Sequence, residues 1–362
     1  MAGAGEGLKV VYSVALTPRS TWKMRRCRDA AADELVKLGK EMSTLVVLNA
    51  DVSSSSGTQK FEKEFPTRFF NAGVAEDNLI AMSAGLATTG KVVVASTFAV
   101  FAIAQPYNVI RQSVAYPRLN VKIFASHAGV TVGGDGATHQ MLEDVALMRG
   151  LPNFRVVVPV DEIETKLALR HAIHDEGPYY IRVGRSEVPT ILPDDYKFRL
   201  GEAVELMGGT DLTICANGQL VQAALDAADL LRHEGIEARV LNVHTVKPLD
   251  KEAIERAAVE TGGIVTAEEH SVYGGLGSAV AEVVCETHPV KFARVGTQDV
   301  FGRSGEIPEL LEHYGLTQKE ILAGALQAAR HDVVAKIKRS STLMAVIEKA
   351  KPLRPMVESF AM

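Results

Sequence analysis

The sequence predicts an α/β protein of two doubly wound, mostly parallel-sheet domains, and three observations carry that prediction. Short β-branched apolar runs alternate with amphipathic stretches from residue 29 onward, as βαβ units require. That rhythm fails between about residues 186 and 208, where Pro189 and Pro193 fall close together, and then resumes. A chain of 362 residues also favours two ordinary cores over one very large one. The expected division is a first domain over 1–190, a linker over 191–208, a second, smaller domain over 209–330 and an extension over 331–362.

In the first set, DAAADELVKLGKEM reads as a helix and TLVVLNA as a buried strand; EDNLIAMSAGLATTG is a helix and KVVVAST a strand. QPYNVIRQSVAYP, NVKIFAS, a glycine loop, QMLEDVALMRG, RVVVPV, DEIETKLALRHAIHDEG and PYYIRVG continue the alternation. The second set runs DLTICANG, QLVQAALDAADLLRHEG, ARVLNVHTV, a KPLD turn, KEAIERAAVETG, GIVTAEEH, GSAVAEVVCETHP and VKFARVG. Parallel strands joined by helices on both faces follow from this order. After about residue 330 the chain is basic and helix-prone, which suits a solvated helix or, alternatively, an element that docks a partner.

Composition removes several classes. Apolar residues make up 47% and charged residues 23%, so a packed core rather than disorder is expected. With 39 basic against 44 acidic side chains the net charge is −5, and neither nucleic acid nor an anionic membrane is the expected partner. Cys27, Cys215 and Cys285 are odd in number and far apart, which fits neither a disulfide framework nor a zinc knuckle and points to a reducing, cytoplasmic setting. No apolar run approaches the ~20 residues of a membrane span, and the opening lacks the pattern of a secretory signal.

The glycine loop GGDGATHQ, 133–140, follows NVKIFAS at a strand's carboxyl end, where open parallel sheets bind ligands. A short structural turn would account for its glycines. However, His127, Asp135 and His139 place two imidazoles and a carboxylate in one strand-end segment, and such groups need partners. A single carboxylate and imidazole are too few for a structural zinc site, so no metal ligand is assigned. P-loop, G-x-G-x-x-G and G-x-S-x-G patterns are missing; YGGLGSAV lacks the last glycine of the second. Gly134-Asp135-Gly136 imitates the diphosphate motif of thiamine enzymes, but no asparagine follows at the required 25 to 30 residues. Elsewhere, Gly73 permits a tight strand-to-helix turn that puts Glu76 in the first helical turn, a position that capping alone would explain. Phe98 and Phe101, three apart, would share one helical face, which core packing alone would explain.

Order gives these fragments their meaning. FFNAGVAEDN, STFAVF, the long stretch RQSVAYPRLNVKIFASHAGVTVGGDGATHQMLEDVALMRGLPNFRVVVP, GPYYIRVGR, VKPLD and EEHSVYGGLGSAVAE, read together, resemble the C-terminal half of transketolase over about residues 25–325. The form resembled is the split transketolase, whose halves are separate polypeptides. The resemblance implies a thiamine diphosphate pyrimidine-binding domain followed by a transketolase C-terminal domain. It implies that Glu76 hydrogen-bonds the pyrimidine ring nitrogen and favours its imino form, with Phe98 and Phe101 stacking on the ring and Asp51 also cofactor-binding. It implies that Asp135, His139 and His127 contact the sugar and handle protons, and that Arg28, Ser55, His127 and Arg185 hold the substrate phosphate. Magnesium or calcium would be gripped mainly by an N-terminal, diphosphate-binding partner subunit, within a heterotetramer acting on sugar phosphates.

Two departures stand out. The family's loop commonly reads GEDG, where this chain has Gly134, and a third aromatic of many relatives is replaced by Ala104, with Tyr107 near enough to fill the space. Three alternatives share the fold: a deoxyxylulose-phosphate synthase-like subunit, a 2-oxo acid dehydrogenase beta-like subunit and a non-catalytic assembly subunit. S-H-A-G at 126–129 disfavours the first and T-H-Q at 138–140 the second; Glu76, Phe98, Phe101, Asp135 and His139 occurring together disfavour the third.

Overall fold

A computed structural model describes residues 11–353. In chain order the strands are β1 (Tyr12–Ser13), β2 (Met24–Arg26), β3 (Leu45–Asn49), β4 (Phe69–Asn71), β5 (Val92–Phe98), β6 (Val121–Ser126), β7 (Arg155–Val157) and β8 (Tyr179–Arg182). There follow β9 (Glu187–Pro189), β10 (Val204–Met207), β11 (Leu212–Ala216), β12 (Ala238–Asn242), β13 (Thr245–Lys247), β14 (Gly263–Ser271) and β15 (Lys291–Thr297). Seven strands form one sheet in the order β13-β7-β8-β6-β5-β3-β4, and six form another in the order β1-β10-β12-β11-β14-β15. Within the first, β7, β8, β6, β5, β3 and β4 are all parallel. Every residue of β3, β6 and β8 is buried, as expected of strands covered by helices on both faces.

The helices read from apolar periodicity are present, with ends set by local chemistry, while Gln59–Glu64, Ile307–His313 and Gln318–Ala328 are helices that the periodicity did not point to. Helix Glu162–His174 begins at Asp161, whose carboxylate accepts from the Glu164 amide at 3.0 Å. Its other oxygen accepts from the amides of Ile191 and Leu192, both at 2.9 Å, so the supposed linker starts with a fixed anchor. Ile191, Leu192 and Tyr196 are buried, and the segment supplies β10 to the second sheet. QMLEDVALMRG is helical only over Asp144–Gly150, because residues 140–143 remain with the glycine loop.

The two sheets also exchange edges. β1, from the amino-terminal stretch, pairs with β10, while ARVLNVHTV divides into β12 of the second sheet and β13, which lies antiparallel on β7. Lys247 secures that crossing, its ammonium donating to the carbonyls of Arg149 and Leu151 at 2.9 and 2.5 Å. Helices His331–Arg339 and Ser341–Ile347 of the extension are not free in solvent. They bury Val333, Ile337 and Leu343 in the second domain's core, leaving Lys336, Lys338 and Arg339 outside. Among the described residues no helix is long and apolar enough to cross a membrane, and the three cysteines are unpaired.

Candidate active site

The first sheet reverses direction at β3: the chain passes to β4 on one side, then back to β5 on the other. Ligands of open α/β sheets bind where the carboxyl ends of such strands diverge. Asn49 holds this fork open. Its side-chain nitrogen shares its two hydrogens among Ser56 Oγ, Thr58 Oγ1 and the Ser96 carbonyl, all within 3.1 Å, and its oxygen accepts from the Val52 amide. Beyond it, Asp51 sits at φ 59° and is tied to Asn71: the Asp51 amide donates to Asn71 Oδ1, and Asn71 Nδ2 donates to Asp51 Oδ1. Asn71 Oδ1 also accepts from the amide of Gly73, whose φ of +72° makes the turn into helix Glu76–Thr88. Glu76 is the first residue of that helix and only 7% exposed, yet no described residue hydrogen-bonds its carboxylate.

Four rings gather at the ends of β5 and β6. Phe98 and Phe101 are stacked at 6.1 Å between centroids, His127 lies over Phe98 at 3.8 Å, and His139 meets Phe101 edge-on at 5.2 Å. Phe98 is buried with one face covered by the imidazole, so Phe101 is the ring with surface to offer a ligand. His127 holds φ 58°, a conformation that histidine tolerates better than most residues. Burial pushes its imidazole down to about 3, with Arg28, Arg185 and His139 adding to the effect. Arg28 Nη1 is 3.3 Å from His127 Nε2 and can only donate, which leaves the proton of the neutral ring on Nδ1, donated to Ser126 Oγ at 2.9 Å.

Next to these rings lies an open cleft of about 670 Å³, lined by Arg26, Arg28, Arg185, Gly133–Asp135 and, from the second domain, Gly305–Ile307. Arg28 opens helix Cys27–Glu41 and its Nη1 also reaches the Arg185 carbonyl at 3.4 Å. Arg185 donates to the Val132 carbonyl and stands 3.9 Å from Asp135. Each guanidinium keeps N–H groups unused by these contacts, as an anion site needs.

The structure therefore gathers Phe98, Phe101, His127, His139, Arg28, Arg185 and Asp135, but with divisions that the sequence concealed. Asp135 and His139 do not bond each other: Asp135 faces Arg185, while His139 Nδ1 lies 2.9 Å from Thr138 Oγ1. Ser55, on the short helix Ser53–Ser56, does not line the arginine cleft. Adjoining Gly57 nevertheless lies against Arg28, where a Cβ would come within 3.2 Å of its carbonyl. A side chain at Gly134 would meet nothing within 4 Å. Ala104 is exposed, and Tyr107 packs against the core, with its hydroxyl donating to the Leu147 carbonyl at 3.0 Å. Sequence reasoning passed over Asn49, Asn71 and Gln140, and the second domain's Glu269, which accepts from the Thr131 amide at 2.8 Å. Asn71 and Gln140 lie inside the quoted motifs, so their polarity at strand and loop ends was the available signal.

Fold and site together define a two-domain α/β protein with an open cleft at the strand ends of its first sheet, bounded on one side by the second domain. A model of the transketolase pyrimidine binding domain matches residues 23–190, and one of the transketolase C-terminal domain matches 201–321. The chain belongs to the transketolase family. It is 48% identical over 297 residues to a putative transketolase C-terminal section of Methanocaldococcus jannaschii, covering 81% of this chain and 93% of the relative. It is 43% identical to a 6-deoxy-6-sulfo-D-fructose transketolase subunit of a Clostridium species, covering 82% and 92%. Identity to an apulose-4-phosphate transketolase subunit of Phocaeicola vulgatus is 40%, covering 84% and 97%. Among solved structures it resembles a split gene transketolase described as an inactive beta4 tetramer, with 46% identity, a TM-score of 0.76, and coverage of 90% of this chain and 99% of that one.

Proposed function

We propose that the chain is the pyrimidine-binding subunit of a split, thiamine diphosphate-dependent transketolase that moves a two-carbon ketol unit from a ketose phosphate to an aldose phosphate. The observation that carries this reading is Glu76: a largely buried carboxylate at a helix start, without a hydrogen-bond donor among the described residues. A heterocycle presenting a protonated ring nitrogen would satisfy it. Phe101, half-buried, offers a ring face, and Asp51 stands at the fork of β3. Glu76, Phe98, Phe101 and Asp51 are the residues that would hold the pyrimidine. Thiamine diphosphate, when bound, supplies the electron sink for breaking and making the carbon–carbon bond.

The chain's own groups divide the remaining work. Glu76 accepts a hydrogen bond from the protonated pyrimidine ring nitrogen and so holds that proton in place. His139 and His127 bind sugar hydroxyls and move protons at the reacting carbons, His127 through Nε2 only when Arg28 releases it. Asp135 orients hydroxyls from the cleft wall, and Arg28 and Arg185, with Ser55 nearby, bind the terminal phosphate. A second polypeptide supplies the diphosphate grip and its magnesium or calcium, in a cytoplasmic heterotetramer, because the Gly134-Asp135-Gly136 of this chain lacks its companion asparagine. The test is ketol transfer between sugar phosphates by this chain alone, by its partner alone and by the mixture. Activity in the mixture only is expected; full transfer by this chain alone overturns the proposal.

A further inference from the structure

Gln140 closes the glycine loop in a position its neighbours make unusually demanding. It is 5% exposed, and its side-chain nitrogen faces three carbonyl oxygens: Arg303 at 3.0 Å, Val130 at 3.1 Å and Gly133 at 3.4 Å. Two belong to the loop and the third to the second domain. An amide nitrogen has two hydrogens, enough for the two shorter contacts. The reverse orientation would turn the amide oxygen against three carbonyls, so these contacts fix the side chain's sense. The oxygen is buried without a partner and lies against Gly302, where a Cβ would come within 1.7 Å of it. Only glycine at 302 lets the second domain approach this closely. The Gly136 turn presses on the same segment, since a Cβ there would come within 2.5 Å of Ser304 Oγ.

We propose that Gln140 is a positioning residue that fastens the loop carrying Asp135 and His139 to the second domain, so that residues 302–304 set the loop's alignment from across the domain boundary. This rests on the ketol-transfer reading for its kinetic consequence, but the fastening itself does not. Gln140 lies outside the cleft's lining. Its loss should shift the loop without touching Glu76 or the aromatic pair. The expected kinetic signature is a kcat for ketol transfer lowered by roughly tenfold to a hundredfold, with hydrogen–deuterium exchange at the cofactor's thiazolium carbon within about twofold of the parent's.

The experiment takes Gln140→Leu, which keeps bulk and removes the donors, and Gln140→Glu, which sets a carboxylate against the carbonyls. Gly302→Ala perturbs the same contact from the second domain. Each is measured in the full chain assembled with its partner subunit, by ketol transfer, by thiazolium exchange and by amide deuterium exchange over residues 130–141. Weaker amide protection in all three variants, ketol transfer reduced and thiazolium exchange preserved supports the proposal. Parent-like protection or parent-like kcat in Gln140→Leu and Gly302→Ala overturns it, as does equal loss of both chemical readouts. If the parent complex transfers no ketol unit while protection still depends on Gln140 and Gly302, the functional reading fails and the fastening stands.

Discussion

The carboxyl ends of β3 and β5 and those of β11 and β14 are topological equivalents, each marking where its sheet reverses direction, yet they have opposite fates. At the first stand Asp51, Asn71 and Glu76, and the open arginine cleft of about 670 Å³ lies to one side, lined by the segments that follow the neighbouring strands β6 and β8. At the second, the turn Asn217–Gln219 and Glu269 face Arg182, Gly184 and Ser186 of the first domain across an enclosed space of about 20 Å³, room for about one water. Arginines of the two places differ in the same way. Arg182 is 4% exposed and engaged inside the protein: Nε donates to Asp144 at 2.7 Å and Nη2 to the Glu269 carbonyl at 2.8 Å. Arg185, three residues on, has donors to spare. A strand-end fork is thus a site or a socket according to what fills it. In this chain the second domain's fork is filled by the first domain.

The largest effect expected from breaking this contrast is at the open fork. Glu76→Ala in the assembled complex should lower thiazolium carbon exchange by on the order of 10²–10⁴-fold. The thermal midpoint of the isolated chain should stay near the parent value, because the carboxylate has no partner to lose. A mutant with normal exchange removes Glu76 from its role. At the closed fork the cost moves to stability. Arg182→Met removes the only guanidinium among the described residues paired with fully buried Asp144, leaving it the Tyr180 hydroxyl, and should destabilise the chain by about 3–5 kcal/mol in urea denaturation. Arg185→Met should change stability by no more than about 0.5 kcal/mol, while raising KM for a sugar phosphate about tenfold or more. If the two arginines exchange these phenotypes, the division into site and socket is wrong.

A smaller effect separates the forks by pH. Burial, with a smaller contribution from Asp144, pushes the Glu269 carboxyl up to about 7 against the opposing pull of Arg182 and Thr131. Its folded value lies above the unfolded one, so the folded chain holds the proton more tightly. Stability from this group is full below about 4.5 and is lost as pH rises toward 7. Urea midpoints of the parent should therefore fall relative to Glu269→Gln between pH 5 and 8. Parallel curves would show that Glu269 is ionised throughout.

Much of this was legible in the residues. The alternation of KVVVAST with EDNLIAMSAGLATTG placed strand and helix because both signals are local. Ordered motifs located Phe98, His127, His139 and Arg185 at strand ends, where parallel topology collects them. What stayed hidden depended on contacts across long stretches of chain. No periodicity reveals that HTV of 244–246 leaves the second sheet for β7, or that Val333 and Ile337 find a core. The packing of Gly302 on Gln140, 162 positions apart, has no sequence signature beyond a glycine and a glutamine.

The smallest expected change concerns His127, and there the prediction is constancy. Its imidazole is held down to about 3 by burial, by Arg28 donating toward Nε2 and by Arg185. The folded value is below the ordinary 6.5, so the unfolded chain takes up a proton that the folded chain refuses. Stability from this group is intact above 6.5 and declines as pH falls toward 3. Between pH 8 and 5 the ring should remain neutral with hydrogen on Nδ1, seen in ¹⁵N-histidine spectra as fixed, unequal nitrogen shifts. Arg28→Leu removes both the donor at Nε2 and the nearest positive charge, so the ring should then begin to titrate at a higher pH than in the parent. If His127 titrates within that window in the parent chain, Arg28 is not seated against it, and the cleft must be redrawn with its two arginines farther apart.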